Sequence, residues 1–156
     1  MEGTLAPAAY RRFIAWQYLA HARSEPGLAE FPWRDHAADY AYAARLPQLN
    51  QEVAAADRPV AEPLPPPATL AVATGRAYVL EGSSLGGNVI FGHLERNPRL
   101  AAFAPFAHYA FQRAHGVGQW RRFAAFAKTH VWSAAEAEEA VVAAREVFDV
   151  FLATAP

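Results

Sequence analysis

The chain has 156 residues, a formal net charge of −1 and no cysteine, which suits one domain spanning residues 1–156 with a core that needs no disulfide, thiolate metal ligand or thiol nucleophile. A nearly balanced charge offers no general attraction to nucleic acid or to an anionic membrane surface. Every apolar segment is interrupted well short of the roughly 20 residues of a membrane span, and Pro7, Arg11 and Arg12 break any secretory-type leader, so a cytoplasmic protein is expected.

Alanine, leucine and aromatic residues recurring three and four apart predict helices throughout. The first helix begins near Pro7, a favoured first-turn position, and presents Tyr10, Phe13, Ile14, Tyr18 and His21 before Ser24-Glu25-Pro26-Gly27 ends it. Residues 35–56 read as two shorter helices with a break near Pro47. Five prolines between 58 and 67 make an extended, polyproline-like linker. A long helix then covers 69–96, kinked at its glycines and ended by Asn97-Pro98. Residues 100–114, interrupted by Pro105, read as a loop or short helix pressed onto the core by its aromatics. His115-Gly116-Val117-Gly118 reads as a turn, followed by a helix over 119–130. Ser133-Ala134-Ala135-Glu136 forms a capping box for a last helix, on which Ala137, Val141, Ala144, Phe148 and Phe151 make one apolar stripe. The expected architecture is an all-α, bundle-like domain.

The glycines of the long helix carry the most information. Gly82, Gly86 and Gly87 fall within an otherwise apolar helix, at a cost of about 0.8–1 kcal/mol each relative to alanine. Gly82 and Gly86 are four apart, as are Ser83 and Gly87, so a helix places small ridges and bare backbone side by side. Such a surface admits a neighbouring helix, a second subunit in a homodimer, or a flat ligand. It is no phosphate cradle, because no strand precedes it and no Lys-Ser or Lys-Thr pair closes it.

Other chemistry is sparse. None of the six histidines forms an H-x-x-x-H or E-x-x-H pair that would set two metal ligands on one helix face, although a single histidine on one cofactor metal stays open. Glu81 has no partner carboxylate along its helix, so an acid pair for hydrolysis is not indicated. Trp120-Arg121-Arg122-Phe123 sets two cations beside aromatics, suited either to a ligand's carboxylates or to a solvated face.

Taken in order, the aromatic Tyr10-Arg11-Arg12-Phe13 with Gln17-Tyr18 and His21, then Tyr78-Val79-Leu80-Glu81-Gly82-Ser83-Ser84-Leu85-Gly86-Gly87, Trp120-Arg121-Arg122-Phe123 and Ala143-Ala144-Arg145-Glu146-Val147-Phe148 resemble bacterial biliverdin-producing heme oxygenases over almost the whole chain. The resemblance implies a heme oxygenase-like helical bundle that holds heme, both substrate and cofactor, between a proximal and a distal helix. It implies conversion of heme by O2, with electrons from a donor protein or reductant, to biliverdin, CO and ferrous iron. Gly82, Gly86 and Gly87 match the glycines over which the porphyrin lies, and Tyr78 matches a distal-pocket tyrosine. Ser83 stands where many members carry the aspartate that organises the distal water. Arg121 or Arg122 matches the helix whose basic residues hold the propionates. In such proteins the axial histidine lies on a helix before the Tyr-x-x-Phe segment. Only residues 1–9 precede Tyr10 and none is histidine, so the resemblance implies a chain lacking that helix, with the metal ligand unknown and a non-catalytic heme-, bilin- or partner-binding module as the alternative.

Overall fold

A computed structural model describes residues 5–156. Residues 1–4, part of the stretch that precedes Tyr10, lie outside the described residues. The regular elements are helices α1 (Pro7–Ser24), α2 (Leu46–Glu52), α3 (Leu70–Ser83), α4 (Gly87–Glu95), α5 (Ala107–Thr129) and α6 (Ala134–Thr154), joined by 3-10 turns, with no strand among the described residues. The expected all-α architecture is therefore present.

Local chemistry accounts for the helix ends. Proline stands in the first turn of α1, where its missing N–H costs nothing. Thr69 caps α3 by accepting from the Val72 amide at 3.1 Å. Ser133 and Glu136 close the expected capping box on α6. Pro47 opens α2 rather than breaking a pair of helices, and residues 36–45 run irregularly instead of helically. The reason is the same as in α1: a proline is tolerated in the first turn and nowhere later. The linker is extended and anchored, with the Leu64 amide donating to the Arg23 carbonyl at 2.8 Å and the Arg76 guanidinium to the Pro65 carbonyl at 2.6 Å. Gly27, at φ +82°, makes the positive-φ turn that admits Pro66 and Pro67 beside it.

Two expectations in the second half are corrected. Residues 98–103 form a 3-10 segment, the Ala104–Pro105 peptide is cis, and α5 begins at Ala107 with Phe106 as its N-cap. The supposed turn at 115–118 does not exist, because α5 runs unbroken through Gly116 and Gly118. Gly116 faces Ser84 so closely that an added Cβ would fall 2.9 Å from the serine Cβ. A glycine that looks like punctuation in one dimension is a point of helix contact in three.

The helices that position the site are α3, α4, α5 and α6. The Thr69 hydroxyl donates to Glu139 at 2.9 Å and Arg76 pairs with Glu146 at 3.8 Å, so α6 advances in step with α3 and lies parallel to it. At their crossing a Cβ on Gly75 would overlap the Ala140 carbonyl oxygen. Helix α5 runs the other way, meeting α4 at the Arg113–Glu95 ion pair (2.9 Å), the 3-10 turn at Gly116, and α3 where Trp120 stacks at a tilt on Tyr78 with centroids 5.7 Å apart. One apolar cluster gathers Leu28, Trp33, Tyr40, Leu80, Phe123 and Val147; a second gathers Tyr10, Ile14, Leu49, Phe91, Leu100 and Tyr109.

Candidate functional site at the glycine kink

The kink forms where three residues, Ser84–Gly86, tighten into a 3-10 turn between α3 and α4. Its three glycines face different surroundings. A Cβ on Gly87 would overlap the Gln112 side chain, whose Cβ lies 2.6 Å away, so this glycine serves the α4–α5 contact. Gly82 has only the Trp120 ring edge at 3.6 Å, an ordinary contact, and Gly86 has nothing within 4 Å. The small-residue ridge thus divides: Gly87, with Gly75 and Gly116, lets helices touch, while Gly82 and Gly86 leave main chain bare.

The bare backbone belongs to an exposed, largely apolar face. Tyr78 (52% exposed), Leu85 and Val89 are uncovered on the same side of α3 and α4 at helical spacing from Gly82 and Gly86. Next to it Tyr78 enters a groove of about 430 Å³ between α3, α5 and α6. The α6 stripe expected from the sequence supplies one wall: Val141 and Phe148, half exposed, line the groove, while Ala143, Val147 and Val150 are the α6 residues that are buried. Ser83 is exposed, and its hydroxyl donates to the Leu80 carbonyl at 2.8 Å.

Arg121 and Arg122 do not line that groove. Both border a second cavity of about 430 Å³, with His36, Asp39, Tyr40 and Thr129. Arg122 also donates from Nε and Nη2 to Gln119 Oε1. The cation that does line the Tyr78 groove is Arg145. Sequence reasoning placed Arg145 in a shared motif but gave it no role; its only signal was its position in the turn between Val141 and Phe148.

Behind the kink lies a buried charge network that the sequence did not reveal. Arg45 pairs with Glu81, Tyr40 donates to the same carboxylate at 3.0 Å, and Arg45 Nη2 donates to Ser84 Oγ at 3.1 Å. Glu25 accepts the Arg45 amide at 2.6 Å and the Leu46 amide at 3.2 Å, and burial raises its carboxyl to about 7. His21 and His108 lie ring against ring at 5.2 Å. His21 Nδ1 donates to the Gln17 carbonyl at 2.8 Å and Gln112 Nε2 donates to His108 Nε2 at 2.9 Å. Burial lowers His21 to about 4 and His108 well below the usual imidazole value. Glu81 is therefore an ion-pair partner inside the fold, not an acid on the open face. Among the described residues no three His, Asp or Glu side chains gather as a metal site, and no histidine lines the groove.

Fold and site together define an all-α bundle with a glycine-kinked helix that leaves backbone bare on an exposed apolar face. Over 111 residues, 70% of its length, the chain is 36% identical to a protein named heme oxygenase from Xanthomonas campestris pv. campestris (strain 8004), and the match spans 66% of that relative, just under two thirds. The chain belongs to the heme oxygenase-like family. No protein-family model and no solved structure matches it.

Proposed function

We propose that this chain binds heme on the Gly82–Gly86 face and, supplied with O2 and electrons, degrades it to biliverdin, CO and ferrous iron. The observation that carries the reading is bare main chain at Gly82 and Gly86 on an exposed apolar face in a chain related to a heme oxygenase. Without Cβ atoms the macrocycle can reach van der Waals contact with the helix backbone, and Tyr78, Leu85 and Val89 shield it from water. This contact would offset the helix propensity that the glycines forfeit. Gly87 supports the seat indirectly by holding α4 against α5.

Bound heme would supply the iron at which O2 reacts and would itself be the substrate. The protein's part is to hold the plane, exclude bulk solvent and place hydroxyls near it. Ser83 has its proton directed at Leu80, which leaves its oxygen able to accept from water. The Tyr78 phenol can both give and accept. With Glu81 held by Arg45 and Tyr40, protons on this face would pass through water and hydroxyls rather than a free carboxylic acid. The partner implied is an electron donor, protein or small reductant.

Hemin titration tests the reading. A saturable Soret band, followed on addition of reductant in air by its loss and the growth of bilin absorbance, is the expected result. A Soret band that persists under reductant would limit the chain to holding heme, and no band would remove heme from its function.

A further inference from the structure

The Tyr78 groove has ten lining residues, of which Arg145 alone is charged. None of the ion pairs among the described residues uses Arg145; the neighbouring Glu146 pairs with Arg76. Asp149, one turn further along α6, makes no ion pair with it. The groove holds a second unmet polar group. Thr74, 6% exposed, lines it, and its Oγ1 is buried with no hydrogen-bond partner. A helical threonine ordinarily returns its hydroxyl to a carbonyl one turn back, as Thr129 and Thr154 do here. Apolar walls, one free guanidinium at the rim and one orphaned hydroxyl inside match an apolar molecule that carries an acidic group. Tyr78 is shared between this groove and the bare glycine face, so one ligand can extend across both.

Resting on the heme reading above, we propose that the α3–α5–α6 groove receives the acidic edge of the tetrapyrrole, with Arg145 pairing a propionate carboxylate. Arg122 is turned to Gln119, and the cavity it shares with Arg121 has Asp39 on its wall, so neither of those arginines offers the same free charge beside Tyr78. Arg145 is a binding residue that selects for a carboxylate, and Thr74 gives the occupant a hydrogen-bonding group deeper in the groove.

The test is a pair of titrations, hemin and hemin dimethyl ester, against the wild-type chain, Arg145→Ala and Arg122→Ala, with circular dichroism confirming equal helix content. The expected result is a loss of about tenfold in hemin affinity for Arg145→Ala, as for a guanidinium–carboxylate pair beside apolar walls, and no comparable loss for the ester. Hemin affinity that Arg145→Ala leaves within about twofold, well under the effect of a charged pair, an equal loss for the ester, or a loss confined to Arg122→Ala would overturn the proposal. Should the wild type bind no hemin, the heme reading fails separately. The groove is then probed with 8-anilinonaphthalene-1-sulfonate: fluorescence weakened in Arg145→Ala retains it as a site for an apolar organic acid, and fluorescence indifferent to the substitution overturns that as well.

Discussion

Gly86 and Gly87 are adjacent in sequence and opposite in consequence. Nothing lies within 4 Å of a Cβ on Gly86, so the fold has room for a side chain there. Gly86→Leu should keep its helix content and its urea midpoint while losing hemin binding; unchanged affinity would remove this surface as the porphyrin seat. Gly87→Leu should instead lower stability by about 3 kcal/mol, because the new side chain must displace Gln112 from a packed contact. Urea unfolding measures the difference directly. No helical pattern tells these two glycines apart: each is a missing side chain until the neighbouring helix is placed.

At the scale of elements, the α3–α4 kink is held from behind by Arg45, Glu81, Tyr40 and Ser84. Removing one member of a buried ion pair strands the other charge in a medium that solvates it poorly. Glu81→Gln should therefore cost about 3–5 kcal/mol, seen as a fall in thermal midpoint, although Glu81 touches no proposed ligand. The helices themselves were largely legible. Pro7, Thr69, Asn97-Pro98 and the Ser133–Glu136 box mark real ends, because caps act through hydrogen bonds within four residues. Pro47 and the glycines of α5 misled. A proline means a start or a break, and a glycine a turn or a crossing, according to what packs beside it.

For the whole molecule, the buried ionisable groups set opposing pH dependences. His21 falls to about 4 in the folded chain from 6.5, and His108 shifts the same way, so below 6.5 the unfolded chain takes up protons that the folded chain refuses, and stability falls with acid. Glu25 rises from 4.5 to about 7; its unfolded form loses a proton first as pH rises between those values, and stability falls with base over that window. Glu52, whose carboxyl burial also raises, acts in the same sense as Glu25, so two carboxyls oppose the two histidines between about pH 5 and 6. Replacing Glu25 with Gln removes one of these opposing contributions and should make stability rise more steeply with pH over that window. Urea midpoints measured at pH 5 and pH 6 for both proteins would show it, and an unchanged slope would mean that Glu25 is ionised in the fold.

Read without coordinates, the chain already determined its helical class, most helix ends, the linker and the likeness to heme oxygenases, since these depend on local hydrogen bonding, proline geometry and the order of short motifs. The division of the glycines between packing and bare surface, the withdrawal of Glu81 into the network with Arg45 and the choice of Arg145 over Arg121 and Arg122 beside Tyr78 were decided by tertiary structure. Each depends on which side chain from a distant helix fills, or leaves empty, the few ångströms beside it, and that distance is set only when α3, α5 and α6 pack together.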